Sequence, residues 1–202
     1  MCALIKSNIL SRRHAYDVPS TMNRPLIALV PCLLLLSCGG MSPSNQPPAT
    51  TAKVDLKRYI GRWHEIARLP MPFQNVDESA VAEYGSIPDG TISVHNIATR
   101  RDGSQHDIRG TATVLNPGEN TRLAVRFSNW FGPLIPVPQE GNYWILDVDA
   151  GYQHAIVGTP DRKYLWFLSR TKTVSQEQMT AMEAKARSLG FDLTRLIRTP
   201  QY

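Results

Sequence analysis

Cysteine is nearly missing: the 202-residue chain has three, Cys2, Cys32 and Cys38, all before residue 40. Everything downstream must hold its fold by packing alone, because no disulfide can form there. A Gly-x-Ser-x-Gly elbow is also lacking, which removes the motif-level case for a serine hydrolase. Asp147-Val-Asp149-Ala-Gly151 opens like a calcium loop, but its twelfth position is Gly158 rather than glutamate. Past the leader, His64, His95, His106 and His154 are scattered over separate segments, with His64 and His95 on an outward phase. No metal or haem set is expected from them, and no cofactor is expected either.

What is present begins with a leader. Met22-Asn23-Arg24 runs into PLIALVPCLLLLS, an apolar stretch of signal-peptide length that is too short to span a bilayer. Residues Met1 to Thr21 fit no such pattern, so translation is expected to start at Met22. Leu35-Leu36-Ser37-Cys38 resembles the bacterial lipobox, in which the cysteine is acylated and becomes the mature N-terminus. The expected organisation is a signal region over 1–37, a flexible tether over 38–53 and a folded domain over 54–202. The membrane is then a partner through acylated Cys38, each buried methylene of its lipid contributing roughly 0.8 kcal/mol. Removing residues 1–37 takes away Lys6, Arg12, Arg13 and Arg24 against Asp17, leaving 18 basic and 16 acidic residues. The net charge falls from +5 to +2. So small an excess gives no electrostatic footprint for nucleic acid, which is not expected as a partner.

From Gly61 to Arg170 the pattern is one short strand after another. Ile92 and Val94 alternate with Ser93 and His95; Ile108, Gly110, Ala112 and Val114 alternate with Asp107, Arg109, Thr111 and Thr113. Leu123, Val125 and Phe127 oppose Arg122, Ala124 and Arg126. NYWILDV and YLWFLSR are more uniformly apolar, as strands covered on both faces should be. Turn signals at Pro88-Asp89-Gly90, Arg101-Asp102-Gly103, Asn116-Pro117-Gly118 and Thr159-Pro160-Asp161 separate the segments. Eight strands joined by hairpins argue for an all-β fold, an eight-stranded antiparallel up-and-down β-barrel. The period then changes. Ser175 to Leu189 reads as an amphipathic helix with Ser175 as N-cap, a stripe of Met179, Met182, Ala186 and Leu189, and Gly190 at its end. It is expected to be a C-terminal α-helix packed outside the barrel, with FDLTRLI after it as a short extra strand.

Three segments carry a specific resemblance. YIGRWHEIARLP, centred on Gly61-x-Trp63, resembles the first signature of the lipocalins, and LDVDAGYQHAIVG resembles the second. YLWFLSR, ending in Arg170, resembles the third, and the helix after the eighth strand falls where the family places it. The resemblance covers Val54 to Ile197 and is nearest to the bacterial lipoprotein branch of the family. A barrel needs a floor: Trp63 is expected to plug the closed end, with Gly61 letting the chain pass tightly beneath it. Arg170 is expected to stack on the indole, a cation–π contact of about 1–2 kcal/mol.

Alternation predicts an inner lining of Ile92, Val94, Ile108, Ala112, Val114, Leu123, Val125 and Phe127, continued by Tyr143, Ile145, Trp166 and Leu168. Arg100, Arg101, Arg162 and Lys163 are expected at the mouth, either solvated or facing a headgroup. The 128–142 loop carries Trp130, Phe131, Leu134, Ile135 and Val137, which either fold onto the barrel or, with Met71 and Phe73, form an apolar rim. Glu65 is the one acid at an inward phase near the floor. What the resemblance implies is a lipid-anchored outer-membrane protein on the periplasmic face that binds fatty acids such as palmitate, or lysophospholipids, for storage or transport. Gly39 after Cys38 fits the outer-membrane sorting rule of enteric bacteria. Enzymatic activity is not expected; the second class considered is a lipid-processing enzyme on the same barrel, with Glu65 as its base. A homodimer is left open.

Overall fold

The computed structural model describes residues 46–128 and 137–202. The expectations for the leader, for Cys38 and for Trp130, Phe131, Leu134 and Ile135 lie outside the described residues.

After a one-turn helix, α1 (Leu56–Tyr59), come eight strands: β1 (Gly61–Arg68), β2 (Ser79–Ser86), β3 (Ile92–Thr99), β4 (Gln105–Val114), β5 (Arg122–Phe127), β6 (Tyr143–Val148), β7 (His154–Gly158) and β8 (Leu165–Ser169). Helix α2 (Gln176–Ser188) and a two-residue strand, β9 (Ile197–Arg198), complete the chain. Each strand pairs antiparallel with the next, and β1 pairs with both β2 and β8, which closes the sheet. The result is the closed eight-stranded up-and-down barrel that the alternation implies.

Two hydrophobic clusters divide the molecule. One fills the barrel and includes Trp63, Val94, Ala112, Val125, Ile145, Val157 and Leu168. The other lies outside it, where Trp144, Leu146, Ile156, Leu165 and Phe167 meet Met179, Met182 and Ala186 of α2. This explains the uniformly apolar β6 to β8: one face lines the interior and the other is roofed by the helix. Ser175 accepts a hydrogen bond from the Gln178 amide and Gly190 follows the helix at φ +85°, so both ends carry the caps the sequence signals.

Two strands break strict alternation. The register of β1 shifts between Glu65 and Ala67, and that of β6 between Ile145 and Asp147. Past its bulge β1 carries Ile66 and Ala67 in the outer cluster, while Arg68 returns inward opposite Trp166. β2 stops pairing with β1 at His64, and β9 takes its place, opposite Ala67 and Arg68. The extra strand expected in FDLTRLI thus forms only from its last residue, Ile197. The β5–β6 ladder is the shortest of the barrel hairpins, with two facing pairs, and the Asn142 side-chain amide extends it by bonding both the N–H and the C=O of Val125.

Candidate functional site

The site is a cup, and its floor is built first. Asp55 caps α1 by accepting from the Lys57 amide, and the segment stretches between two turns at the closed end. The Val54 amide bonds Glu119 O at 2.7 Å and the Asp55 amide bonds the Tyr152 hydroxyl at 2.8 Å. Contacts begin before Val54: the hydroxyls of Thr121 and Thr50 are bonded, and the Thr51 amide reaches Ile145 O, so this end of the expected tether lies along the barrel. Trp63 is fully buried and donates its indole N–H to Tyr59 O at 2.8 Å. The Arg170 guanidinium sits 3.8 Å from the Trp63 ring centroid and donates to the carbonyls of Arg58, Tyr59, Ile60, Arg62 and Tyr152. Gly61 turns at φ +103°, and a Cβ there would stand 3.2 Å from Arg170 Nη1. That approach is what only glycine accommodates without strain.

Above the indole lies a second layer the sequence does not announce. Tyr59 from α1, Tyr84 from β2 and Tyr143 from β6 meet in the interior, with the Tyr59 and Tyr143 hydroxyls 2.7 Å apart and Tyr143 donating to Tyr84 at 3.0 Å. Burial raises all three phenols, that of Tyr84 to about 12, so they stay neutral. With Ile92, Val94, Ala112, Leu123 and Val125 they enclose a cavity of about 10 Å³, room for roughly one water. The base of the barrel is therefore closed to a ligand chain.

Register and packing place every expected lining residue on the inner face. Ile92, Val94, Ala112, Leu123, Val125, Ile145 and Leu168 are buried there. Val114, Phe127, Tyr143 and Trp166 pack against them half-buried. Ile108, also half-buried, faces inward opposite Asn96 of β3. Towards the mouth this wall becomes partly polar. Glu65 is 4% exposed; its Oε1 accepts from Thr199 Oγ1 at 2.6 Å and Gln74 Nε2 at 3.1 Å, and lies 3.1 Å from Arg68 Nε. Burial pushes the Glu65 carboxyl up, against the opposing pull of Thr199, Arg68 and Gln74. Asn96 Oδ1 is buried and has no hydrogen-bond partner among the described residues.

A raised carboxyl has a sign in the stability profile. The folded state holds the Glu65 proton above the ordinary value of 4.5, so stability contributed by that proton is lost as pH rises through the window above 4.5. Between pH 4.5 and neutrality the wild type should therefore lose stability relative to Glu65→Gln, read as diverging urea midpoints. Parallel midpoints would place the Glu65 titration at its unfolded value.

The four cations expected at the mouth have separate surroundings. Arg100 bonds Glu78, a fully buried carboxylate of the first loop, at 3.2 Å. Burial works against Glu78 ionisation, yet the Asn75 donors, with His106 and Arg100 beside it, hold its carboxyl below the ordinary range. Lys163 pairs with Asp161 at the surface and Arg101 is exposed. Arg162 donates from Nε to Leu189 O at 2.8 Å, binding the C-terminal end of α2. Met71 is buried and Phe73 exposed, its ring 6.0 Å from that of Tyr164.

The family profile for the Lipocalin-like domain matches residues 54–201. The chain is a lipocalin. Temperature-induced lipocalin-1 of Arabidopsis thaliana is 40% identical over 73% of this chain and 80% of its own length. Outer membrane lipoprotein Blc of Escherichia coli strain K12 is 36% identical over 88% of this chain and 96% of its own. The protein of the same name in Vibrio cholerae is 34% identical over 87% and 98%. Insecticyanin from the tobacco hornworm Manduca sexta aligns with TM-score 0.54 at 18% identity, covering 80% of this chain and 87% of that one, a likeness of fold alone. Lipocalins are in general binding proteins rather than enzymes, which places a ligand-binding role in this barrel. Among the described residues no helix is long and apolar enough to cross a membrane.

Sequence reasoning missed Tyr59, Tyr84, Arg68 and Asn96. Tyr84 had a signal, since Ala80, Ala82 and Tyr84 share one phase of β2. Tyr59 had none, because it enters the barrel from a helix rather than a strand. Arg68 was hidden by the bulge at Ile66, which reverses the phase that alternation assigns to it.

Proposed function

We propose that this lipocalin holds the acyl chain of a fatty acid or a lysophospholipid in the upper half of its barrel, for storage or transport of membrane-derived lipid. The observation that carries the reading is the inner wall: a largely apolar set of inward side chains stands above a sealed floor. Ile108, Phe127 and Trp166, half-buried on that wall, stand where a chain would pass. The tyrosine layer sets the depth, so the chain end would rest on Tyr84 and Tyr143 rather than on Trp63. The deeper residues of the expected lining, Ile92, Val94, Ala112, Leu123 and Val125, wall the water-sized cavity beneath the chain, and Arg100, Arg101 and Lys163 stand at the entrance. Each methylene transferred from water contributes roughly 0.8 kcal/mol, offset by the cost of ordering the chain.

The proposal places the protein at the outer membrane, held by an acylated Cys38 on the periplasmic side. The relatives named as outer membrane lipoproteins support this. It acts by binding rather than turnover: Glu65, the acid best placed to be a base, is surrounded at Oε1 by Thr199, Gln74 and Arg68. The test is titration with a fluorescent polyunsaturated fatty acid followed by displacement with hexadecanoate and with a lysophospholipid. Saturable uptake of one probe per barrel, released by either competitor, is expected. A barrel that takes up no probe contradicts the proposal.

A further inference from the structure

The side chain of Arg68 is 1% exposed, yet its guanidinium is incompletely bonded. It projects from the mouth end of β1, on the face shared with Trp166, beneath the 69–78 loop. Nη2 donates to Asn75 O at 2.6 Å and to Gln74 O at 3.4 Å. Nε lies 3.1 Å from Glu65 Oε1 without a well-aimed hydrogen bond, and Nη1 has no partner among the described residues. A guanidinium offers five N–H donors in a planar fork, and leaving charged donors buried and unmade is costly.

We infer that Arg68 is the internal anchor for the anionic oxygens of an amphiphile, a carboxylate or a phosphate, whose tail runs down the lining towards the tyrosine layer. The inference rests on the acyl-chain reading above and names the polar end of the same ligand. The loop satisfies Nη2 and leaves Nη1 buried and unbonded among the described residues. Oxygens placed there would complete the two-pronged geometry that guanidinium shares with carboxylate and phosphate. Glu65 does not forbid a second anion. Burial already raises its carboxyl, so it can take up a proton as the ligand arrives. The rim cations are a poorer match for selectivity: Arg101 and Lys163 are exposed, where salt screens a charge and a single ion pair contributes little.

The experiment compares hexadecanoate, hexadecyl phosphate and hexadecan-1-ol, equal in chain length, binding to the wild-type barrel at low and high salt. The account expects at least one anion to bind about 10–100-fold more tightly than the alcohol, the scale of one buried charge-assisted contact. That preference should survive high salt, and the tighter anion identifies the headgroup as carboxylate or phosphate. Arg68→Met should bring the anions level with the alcohol while leaving alcohol affinity in place, and Arg68→Lys should restore part of the preference. Because Arg68→Met strands Glu65, the double variant Glu65→Gln/Arg68→Met serves where the single one fails to fold. Equal affinities in the wild type, a preference erased by salt, or one that persists without Arg68 would overturn the inference alone. Failure of all three amphiphiles to bind would overturn the acyl-chain reading, and this inference with it.

Discussion

Trp63→Ala is expected to lower the unfolding free energy by about 3–5 kcal/mol, the scale of truncating a buried tryptophan. Three contributions add at this position. The indole is fully buried, so its removal leaves a void at the barrel floor. Its ring carries the Arg170 guanidinium at 3.8 Å and packs against Tyr59 with centroids 5.2 Å apart. Its N–H holds Tyr59 O, which fixes where α1 enters the barrel. A domain whose whole margin is about 5–15 kcal/mol would lose a large part of it. Urea unfolding followed by far-ultraviolet circular dichroism reads the effect. Phe73→Ala serves as the comparison, since Phe73 is 67% exposed and should change stability by less than about 0.5 kcal/mol. A loss at Trp63 as small as that at Phe73 would mean that the floor does not depend on its indole.

Ile108→Trp is expected to weaken acyl-chain affinity about 100-fold with little change in stability. Ile108 faces inward on β4 and is half-buried, beside Asn96 and away from the tightly packed base. Its partial exposure contrasts with Ala112, which is 2% exposed and borders the water-sized cavity. If the indole displaces three or four methylenes of the ligand, the loss at roughly 0.8 kcal/mol each comes to about 3 kcal/mol. That corresponds to about two orders of magnitude in affinity. Probe titration and urea unfolding on the same preparation separate the two effects. Unchanged affinity in a folded variant would place the chain elsewhere than the upper barrel.

The fold was legible because a barrel wall with one wet face writes its period into the chain. In β3, β4 and β5 the polar partners Ser93, Asp107, Arg109, Thr111, Arg122 and Arg126 mark the outer side, so the inner side follows. β6 to β8 were ambiguous by pattern, since alternation assigned their inner faces within nearly continuous apolar runs. Their outer residues, such as Leu146 and Phe167, are apolar because α2 covers them. The floor was legible through Gly61, Trp63 and Arg170, where one positive-φ glycine, one plug and one cation recur together. What stayed hidden depends on register rather than composition. A single extra residue at Ile66 turns Arg68 from the outside to the inside. The depth of the cup is set by Tyr59, which arrives from a one-turn helix, and no periodicity within the strands reports it. Arg162 looked like a mouth cation by position, but the nearby helix end captures it through Leu189 O.

Native mass spectrometry of the protein purified from its own cells, before and after solvent extraction, bears most directly on the central claim. A barrel that carries lipid should show one added mass per chain that extraction removes, and the extract should contain a single-chain amphiphile with an anionic head. A chain with no extractable mass, its interior empty both before and after extraction, would contradict the account.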